Sequence, residues 1–205
     1  MTNPEKQADR GGRTDLDSDT DLDSLMGHLI GAGLPLEKYG IDGAKTVHHL
    51  LQEIHTGDSK VSFDTSGNVY REVKVLWLDV FCSLEDGQLY RLKEDRQVFK
   101  DGRANPVKRR NLSSSLGEKL KPDEEPEASI SRALSEELAI TAEPAGVYFL
   151  ETEQTLFTPD TYPGLESTYT HYKYVVTIPP SAFNPEGYIE DQEDKTNYYV
   201  WELLN

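Results

Sequence analysis

Apolar residues along the chain follow a helical period first and a strand period later. From Ser24, the positions Leu25, Met26, Leu29 and Ile30 recur at helical spacing until Gly31 and Gly33 stop the element. Val47, Leu50, Leu51 and Ile54 then keep the i, i+3, i+4, i+7 rule of one helical face, with Asp42 placed to cap the start and Gly57 just past the end. Beyond residue 66 the period becomes two. Between Tyr70 and Cys82, Val73, Val75, Trp77 and Phe81 fall on one face and Leu76, Leu78, Val80 and Cys82 on the other, which predicts a strand covered on both sides. Glu85-Asp86-Gly87 reads as a turn, and Gln88 to Glu94 returns as a second strand. Further strands are expected at Val147 to Leu156, at Tyr169 to Ile178, where Pro179 and Pro180 end the run, and at Tyr198 to Leu203. One helix, Pro126 to Leu138, lies between the early and late strands. Strands, helix, strands with long loops predict an α+β fold or an α/β/α sandwich with a mixed sheet rather than a barrel or a bundle.

This order divides the chain into an acidic tail over 1–23, a helical extension over 24–66 and an α/β domain over 67–205. Too little apolar surface is available in the tail to offset chain entropy, so disorder is its expected state. The alternating aspartates of Thr14 to Asp23 suggest a calcium loop, but the spacing is wrong. Counted from Asp15 or Asp17, the sixth residue is not Gly and the twelfth is Met26 or His28 instead of Glu.

A chain of 205 residues is one ordinary domain with a small extension. At that size about 70% of the surface of the unfolded chain is buried on folding, enough to dispense with disulfides. The net charge of −16 opposes attraction to nucleic acid or anionic lipid, so neither is an expected partner. A single cysteine, Cys82, no secretory signal and no long apolar run place the protein in the cytoplasm as an expectation. Cys82 itself falls in a strand that reads as buried, hence inert. His48, His49 and His55 lack a Cys or carboxylate at ligand spacing and read as surface residues.

The chemistry is concentrated between Leu116 and Ile140. A Gly-containing loop runs through Pro122-Asp123-Glu124 into a helix opened by Pro126, a residue suited to the first helical turn. Ile130, Leu134 and Leu138 stack at i, i+4, i+8 toward the core, while Arg132, Glu136 and Glu137 take another side. By composition alone this is a solvated helix face with an Arg–Glu pair worth about 0.3–0.5 kcal/mol. Order and spacing change the reading. The stretch resembles the Nudix box, in which Gly, five residues, Glu, seven residues, then Arg-Glu-aliphatic-any-Glu-Glu-any-Gly-aliphatic form a loop, helix and loop. Glu124 stands eight before Arg132, and Leu134, Glu136, Glu137 and Ile140 fall at their places. Three positions depart: Ala133 replaces the Glu after Arg132, Ala139 replaces the Gly, and Gly117 stands one residue early relative to Glu124.

The resemblance implies a Nudix-like α/β/α sandwich that uses Mg²⁺, or Mn²⁺ in its place, to hydrolyse a diphosphate linkage in a small molecule. Nucleoside diphosphates linked to another group come first as substrates and isoprenoid diphosphates second. It assigns metal to Glu136 and Glu137 and catalytic work to Arg132, which orients the helix carboxylates, and to Glu136. With position 133 sharing the face of 136 and 137, the carboxylate cluster has lost a member. One of Glu190, Asp191, Glu193 or Asp194, in the loop before the last strand, is placed to replace it. Lys100, Arg103, Lys108, Arg109 and Arg110 reverse the local charge next to the box; Arg109 and Arg110 are the expected phosphate contacts, and a basic surface loop is the plain alternative. The aromatics of Tyr162 to Tyr174 alternate as sheet residues do, and Ser113 to Ser115 have no context for a nucleophile. Two rival readings follow: a catalytically silent module of the same fold that binds a ligand or a protein, and non-hydrolytic isomerase or cyclase chemistry on an isoprenoid diphosphate. The N-terminal helices either cover the pocket or pair with a second copy in a homodimer.

Overall fold

The computed structural model describes residues 12–110 and 112–204 of the chain. In chain order its elements are β1 (Thr14–Asp15), α1 (Leu22–Gly31), α2 (Val47–Thr56), β2 (Lys60–Phe63), β3 (Val69–Ser83), β4 (Leu89–Phe99), β5 (Val107–Arg109), β6 (Leu116–Lys119), α3 (Ser129–Leu138), β7 (Gly146–Phe157), β8 (Ser167–Ile178), β9 (Tyr188–Asp191) and β10 (Lys195–Leu204). They belong to two compact units, one of residues up to Val73 with Thr155–Tyr169, the other of Lys74–Gln154 with the residues from Thr170 onward. The strands and helices give the expected α/β class, and no helix among the described residues is long and apolar enough to cross a membrane.

In the first unit β1 pairs antiparallel with β2, and β2 with β3 through Lys60↔Glu72 to Phe63↔Val69. Residues 1–11 of the expected tail lie outside the described residues, and from Thr14 the acidic run is ordered. Its aspartates serve local backbone: Asp17 accepts the Asp19 amide at 3.0 Å, and Asp21 caps α1 by accepting the Ser24 amide at 2.7 Å. The start of α2 also differs from expectation. Thr46 is its cap, in a reciprocal box with His49, because the helix opens at Val47, five residues after Asp42. Gly57 closes it in the left-handed conformation, φ 77°, as its position predicts. Leu25, Leu29, Leu50 and Ile54 bury their stripe against Val61, Val69, Tyr162 and Leu165. The compact unit that holds these helices runs on to Val73 and includes the distant segment Thr155–Tyr169, whose Tyr162 and Leu165 add to the cover that Val61 provides.

A buried ion pair sits in this unit. Arg71 donates to Glu53 at 2.7 Å and to the hydroxyls of Ser59 and Tyr169, each at 2.9 Å, while Lys45 reaches the other Glu53 oxygen at 2.6 Å. Both Glu53 oxygens are thus neutralised, which is what makes its burial tolerable.

In the second unit β3 pairs with β6 through Val75↔Lys119 to Leu78↔Leu116, and with β4 through Phe81↔Arg91 to Ser83↔Leu89. β4 continues antiparallel with β5 and β10, and β10 with β9. Where β3 and β4 diverge, Ser115 fills the gap. Its hydroxyl accepts the Val80 amide at 2.8 Å and donates to the Leu92 carbonyl at 2.6 Å, so the serine stretch supplies a structural hydroxyl. Ile130, Ala133, Leu134 and Leu138 of α3 pack on Leu76, Leu78, Val176 and Ile178. α3 begins three residues after Pro126, whose carbonyl accepts the Ser129 hydroxyl at 2.6 Å. Cys82 is fully buried, and burial pushes its thiol pKa up, consistent with an inert role.

Truncating Glu53→Ala leaves Arg71 buried without its carboxylate and should destabilise the fold by about 3–5 kcal/mol, read as a lowered urea midpoint.

Candidate functional site

β6, the loop after it and α3 bring the carboxylates of the box together around one guanidinium. Arg132 donates from Nε and Nη2 to Glu124 at 2.8 and 2.7 Å, and from Nη1 to Glu118 at 2.9 Å and Glu136 at 2.7 Å. Its Nη2 also reaches the Lys119 carbonyl at 3.2 Å. Only a planar fork with several donors can serve that many acceptors at once. The bonds from Arg132 lower the Glu124 pKa, and Glu124 in turn heads the causes that raise the guanidinium's. Glu124 also accepts the Lys121 amide at 3.0 Å, while Asp123, at φ 59°, turns the loop through the left-handed region. A cavity of about 350 Å³ opens beside this loop, lined by Lys74, Leu120, Asp123, Glu124, Glu125, Pro126 and Tyr172.

The two helix carboxylates part company. Glu136 is exposed, with Arg132 on one side and Lys121 at 3.9 Å on the other. Glu137 turns toward β10 and β9. It accepts the Tyr199 hydroxyl at 2.7 Å and lies within hydrogen-bond reach of Glu190. Burial first, and then the bond to Glu190, push the Glu137 carboxyl up to about 8. The helix wheel explains the split. Successive residues rotate by about 100°, so 136 and 137 flank 133 on opposite sides. Ala133 at the centre is 0% exposed in the core. The face expected to carry three acids is therefore a buried ridge with one acid on each flank.

Glu190 and Asp191, expected in a loop, lie on β9 and pair with β10, and of the four acids before β10 Glu190 alone is within reach of Glu137. It is held by the Asn197 amide at 2.6 Å and by Gln192. Asp191 is committed to Lys100 at 2.8 Å and to the Thr196 hydroxyl at 2.6 Å; Glu193 and Asp194 are exposed. Tyr199 stands opposite Glu94 in the β4–β10 ladder, beside a bulge. Glu94 and Asn197 are both buried, and each keeps one side-chain oxygen, Glu94 Oε1 and Asn197 Oδ1, without a partner among the described residues.

The expected phosphate contacts are already engaged. Arg109, on β5, pairs with Asp95, and Arg110 donates to Glu94 at 3.3 Å. Lys100 and Arg103 are likewise matched, with Asp191 and Asp101, so the basic run is largely a neutralised surface. Gly117 belongs to packing: a Cβ there would come within 2.6 Å of the Trp77 ring, which fixes its place in β6 irrespective of the loop. Ala139 closes α3 at φ 54°, in the left-handed region where the box has Gly. Glu118, Glu94, Asn197 and Tyr199 were not singled out by the sequence, because strand residues alternate in the same way whether or not they serve a site. Among the described residues no group of three or more His, Cys, Asp or Glu is arranged to hold a metal ion.

No protein-family profile and no curated protein matches the chain. Similar solved structures include a MutT/nudix family protein from Enterococcus faecalis, 14% identical over 65% of this chain and 44% of that one, with a TM-score of 0.42. The C. elegans Ap4A hydrolase is 14% identical over 63% of this chain and 78% of that one, at 0.30. The T. brucei MERS1–RNA complex is 13% identical over 82% and 63%, at 0.37. This chain thus spans less than half the length of the E. faecalis protein. Likenesses this distant carry no argument about activity, which rests on the residues themselves.

Replacing Ala139→Gly relieves a left-handed alanine and should stabilise the protein by roughly 0.5–1 kcal/mol in urea unfolding, after the entropy that glycine adds to the unfolded chain. The Glu137 pair sets a pH dependence whose sign follows from the raised pKa. The folded state holds a proton that the unfolded chain releases near 4.5, so this contribution is complete below that value and is lost as pH rises to about 8. In metal-free buffer, Glu137→Gln should flatten the fall of the thermal midpoint across that window.

Proposed function

We propose that the chain is a Nudix-like hydrolase that cleaves a diphosphate linkage in a small molecule with Mg²⁺, or Mn²⁺, nucleoside diphosphates linked to another group being the first substrate class to test. The observation that carries this reading is the Arg132 clamp, which occupies Glu118, Glu124 and Glu136 and leaves Glu137 turned toward Glu190.

The donor set fits such an ion in a limited way. Mg²⁺ keeps several waters, takes one or two carboxylates and completes its shell with substrate phosphate oxygens, so it needs no all-protein cage. Glu137 and Glu190 supply the carboxylates, with Glu136 on the solvent flank, and the oxygen-only surroundings suit Mg²⁺ or Mn²⁺ over softer metals. When bound, the ion polarises phosphoryl oxygens and lowers the pKa of a coordinated water. Glu137 would give up its proton when such an ion bound, Tyr199 holds the Glu137 carboxylate by its hydroxyl, and Arg132 keeps Glu136 and the loop in place. Arg109, with a side chain 72% exposed, exchanges Asp95 for a substrate phosphate at little expense, and Arg110 follows by releasing Glu94. The cavity beside the loop receives the attached group. Nucleic acid stays outside this proposal, because the net charge of −16 opposes backbone contacts.

A silent binding module is the second reading, favoured by one observation: Ala133 lies in the core where the box places a glutamate. Phosphate release from a panel of nucleoside and prenyl diphosphates with Mg²⁺ or Mn²⁺ separates the two. The hydrolase reading expects turnover that falls at least about a hundredfold in Glu137→Gln, an effect of several kcal/mol on the transition state. Turnover that survives Glu137→Gln and Glu190→Gln together would overturn the site, and ligand binding without turnover would install the module.

A further inference from the structure

We propose that β7 is the seam of a homodimer, in which two copies pair this strand antiparallel about a two-fold axis passing through Phe149. Among the described residues β7 pairs with β8 alone, so the main-chain groups on its other side have no strand beside them. Tyr148, Phe149 and Leu150 are 63%, 57% and 56% exposed. Because consecutive strand residues point to opposite faces, this exposes large apolar groups on both sides of an edge. Edge strands ordinarily carry charge, proline or a bulge to discourage pairing. Gly146 to Leu150 has no charge and no proline, and the acids that follow, Glu151 and Glu153, share the single cation Lys173 of β8 at 2.9 and 2.7 Å, which offsets one of their two charges.

The order of residues selects the occupant and the register. An isologous antiparallel pair sets residue i against residue j with a constant sum, and its axis passes through one residue. An axis at Thr152 would set Glu151 against the partner's Glu153, and an axis at Glu151 would set that residue against itself. An axis at Leu150 would face Phe149 with an acid, and one at Tyr148 would leave Leu150 opposite a glycine. At Phe149 the two phenylalanines face one another, Tyr148 meets the partner's Leu150 and Leu150 meets the partner's Tyr148. Glu151 then lies opposite the partner's Val147, with no acid against acid. Among the axes along β7 this one alone brings Tyr148, Phe149 and Leu150 of both copies together, which is the self-complementarity a second copy requires. Each copy carries a charge of −16, so long-range repulsion opposes association and salt relieves it. None of the residues that pair across this seam belongs to the Arg132 clamp, and the proposal stands whether or not the chain hydrolyses anything.

The test is the mass of the intact full-length chain in solution, by sedimentation or light scattering, at low and high salt. A particle of twice 23.1 kDa whose dissociation constant falls as salt rises is expected. Phe149→Lys should weaken it at least about tenfold by setting two like charges against each other, and Leu150→Lys by setting a charge against the partner's Tyr148; because Phe149 also packs on Tyr174, unfolding in urea checks that each variant still folds. Under mild oxidation Phe149→Cys should give a disulfide-linked dimer, whereas Glu151→Cys should not, since its thiols would be offset; the buried Cys82 stays unreactive. A monomer at every salt, a dimer indifferent to Phe149→Lys, or equal cross-linking at 149 and 151 would each overturn the proposal.

Discussion

The second unit depends on one guanidinium. Around Arg132 converge acids from β6, from the loop and from α3, three carboxylates that would repel one another in its absence. Charge-assisted bonds of this kind contribute roughly 1.5–3 kcal/mol each before desolvation is charged against them. Direction matters more than the sum. The fork receives Glu124 side-on through two nitrogens and Glu118 and Glu136 through a third, so the loop can take one path only between β6 and the helix. That path opens the cavity and leaves Glu137 outside the clamp. Glu137 is instead buried beside Glu190, and burial above all is what holds its proton, against the Tyr199 hydroxyl, which favours the charged form.

Contrast with the buried Glu53 shows what distinguishes a structural acid from one kept available. Both Glu53 oxygens carry a partner, and the carboxylate ties α2 to β3 with nothing left over. Glu94, also buried, has Arg110 on one oxygen and, among the described residues, no partner on the other; Asn197, which pairs with Gln97 in the same β4–β10 ladder, likewise keeps an oxygen open. Unsatisfied buried oxygens are costly, and proteins retain few of them. The two lie on adjacent strands, β4 and β10, Glu94 opposite the Tyr199 whose hydroxyl Glu137 accepts and Asn197 on the same strand as that tyrosine.

Much of the architecture was legible in the chain. The apolar alternation of β3, β7 and β8 and the glycine after α2 mark elements whose ends the structure moves by only a residue or two. Less legible were elements held by polar ladders: β4 runs to Phe99, past Glu94, through a stretch of charged residues with no apolar period, and β1, β2 and β9 are too short to show one. Capping by Thr46 instead of Asp42 turns on a histidine three residues on, a local choice that several residues could have satisfied. At the site, Arg132, Glu136 and Glu137 stood out because helical spacing and a family pattern coincide there. Glu190 was one acid of several before β10, and only tertiary packing singles it out. Glu118 and Tyr199 were hidden, since neither spacing nor composition marks a strand residue whose partner is dozens of positions away.

Position 133 has a wider meaning for how such a protein changes. Arg132 makes every one of its bonds without reference to its neighbour, and an alanine there fills the core as comfortably as any small apolar residue would. The parts that hold the loop are therefore separate from position 133. A chain built in this way can have its reactivity dimmed, redirected or extinguished by drift at a few side chains while the same framework continues to fold, leaving an old vessel open to new contents.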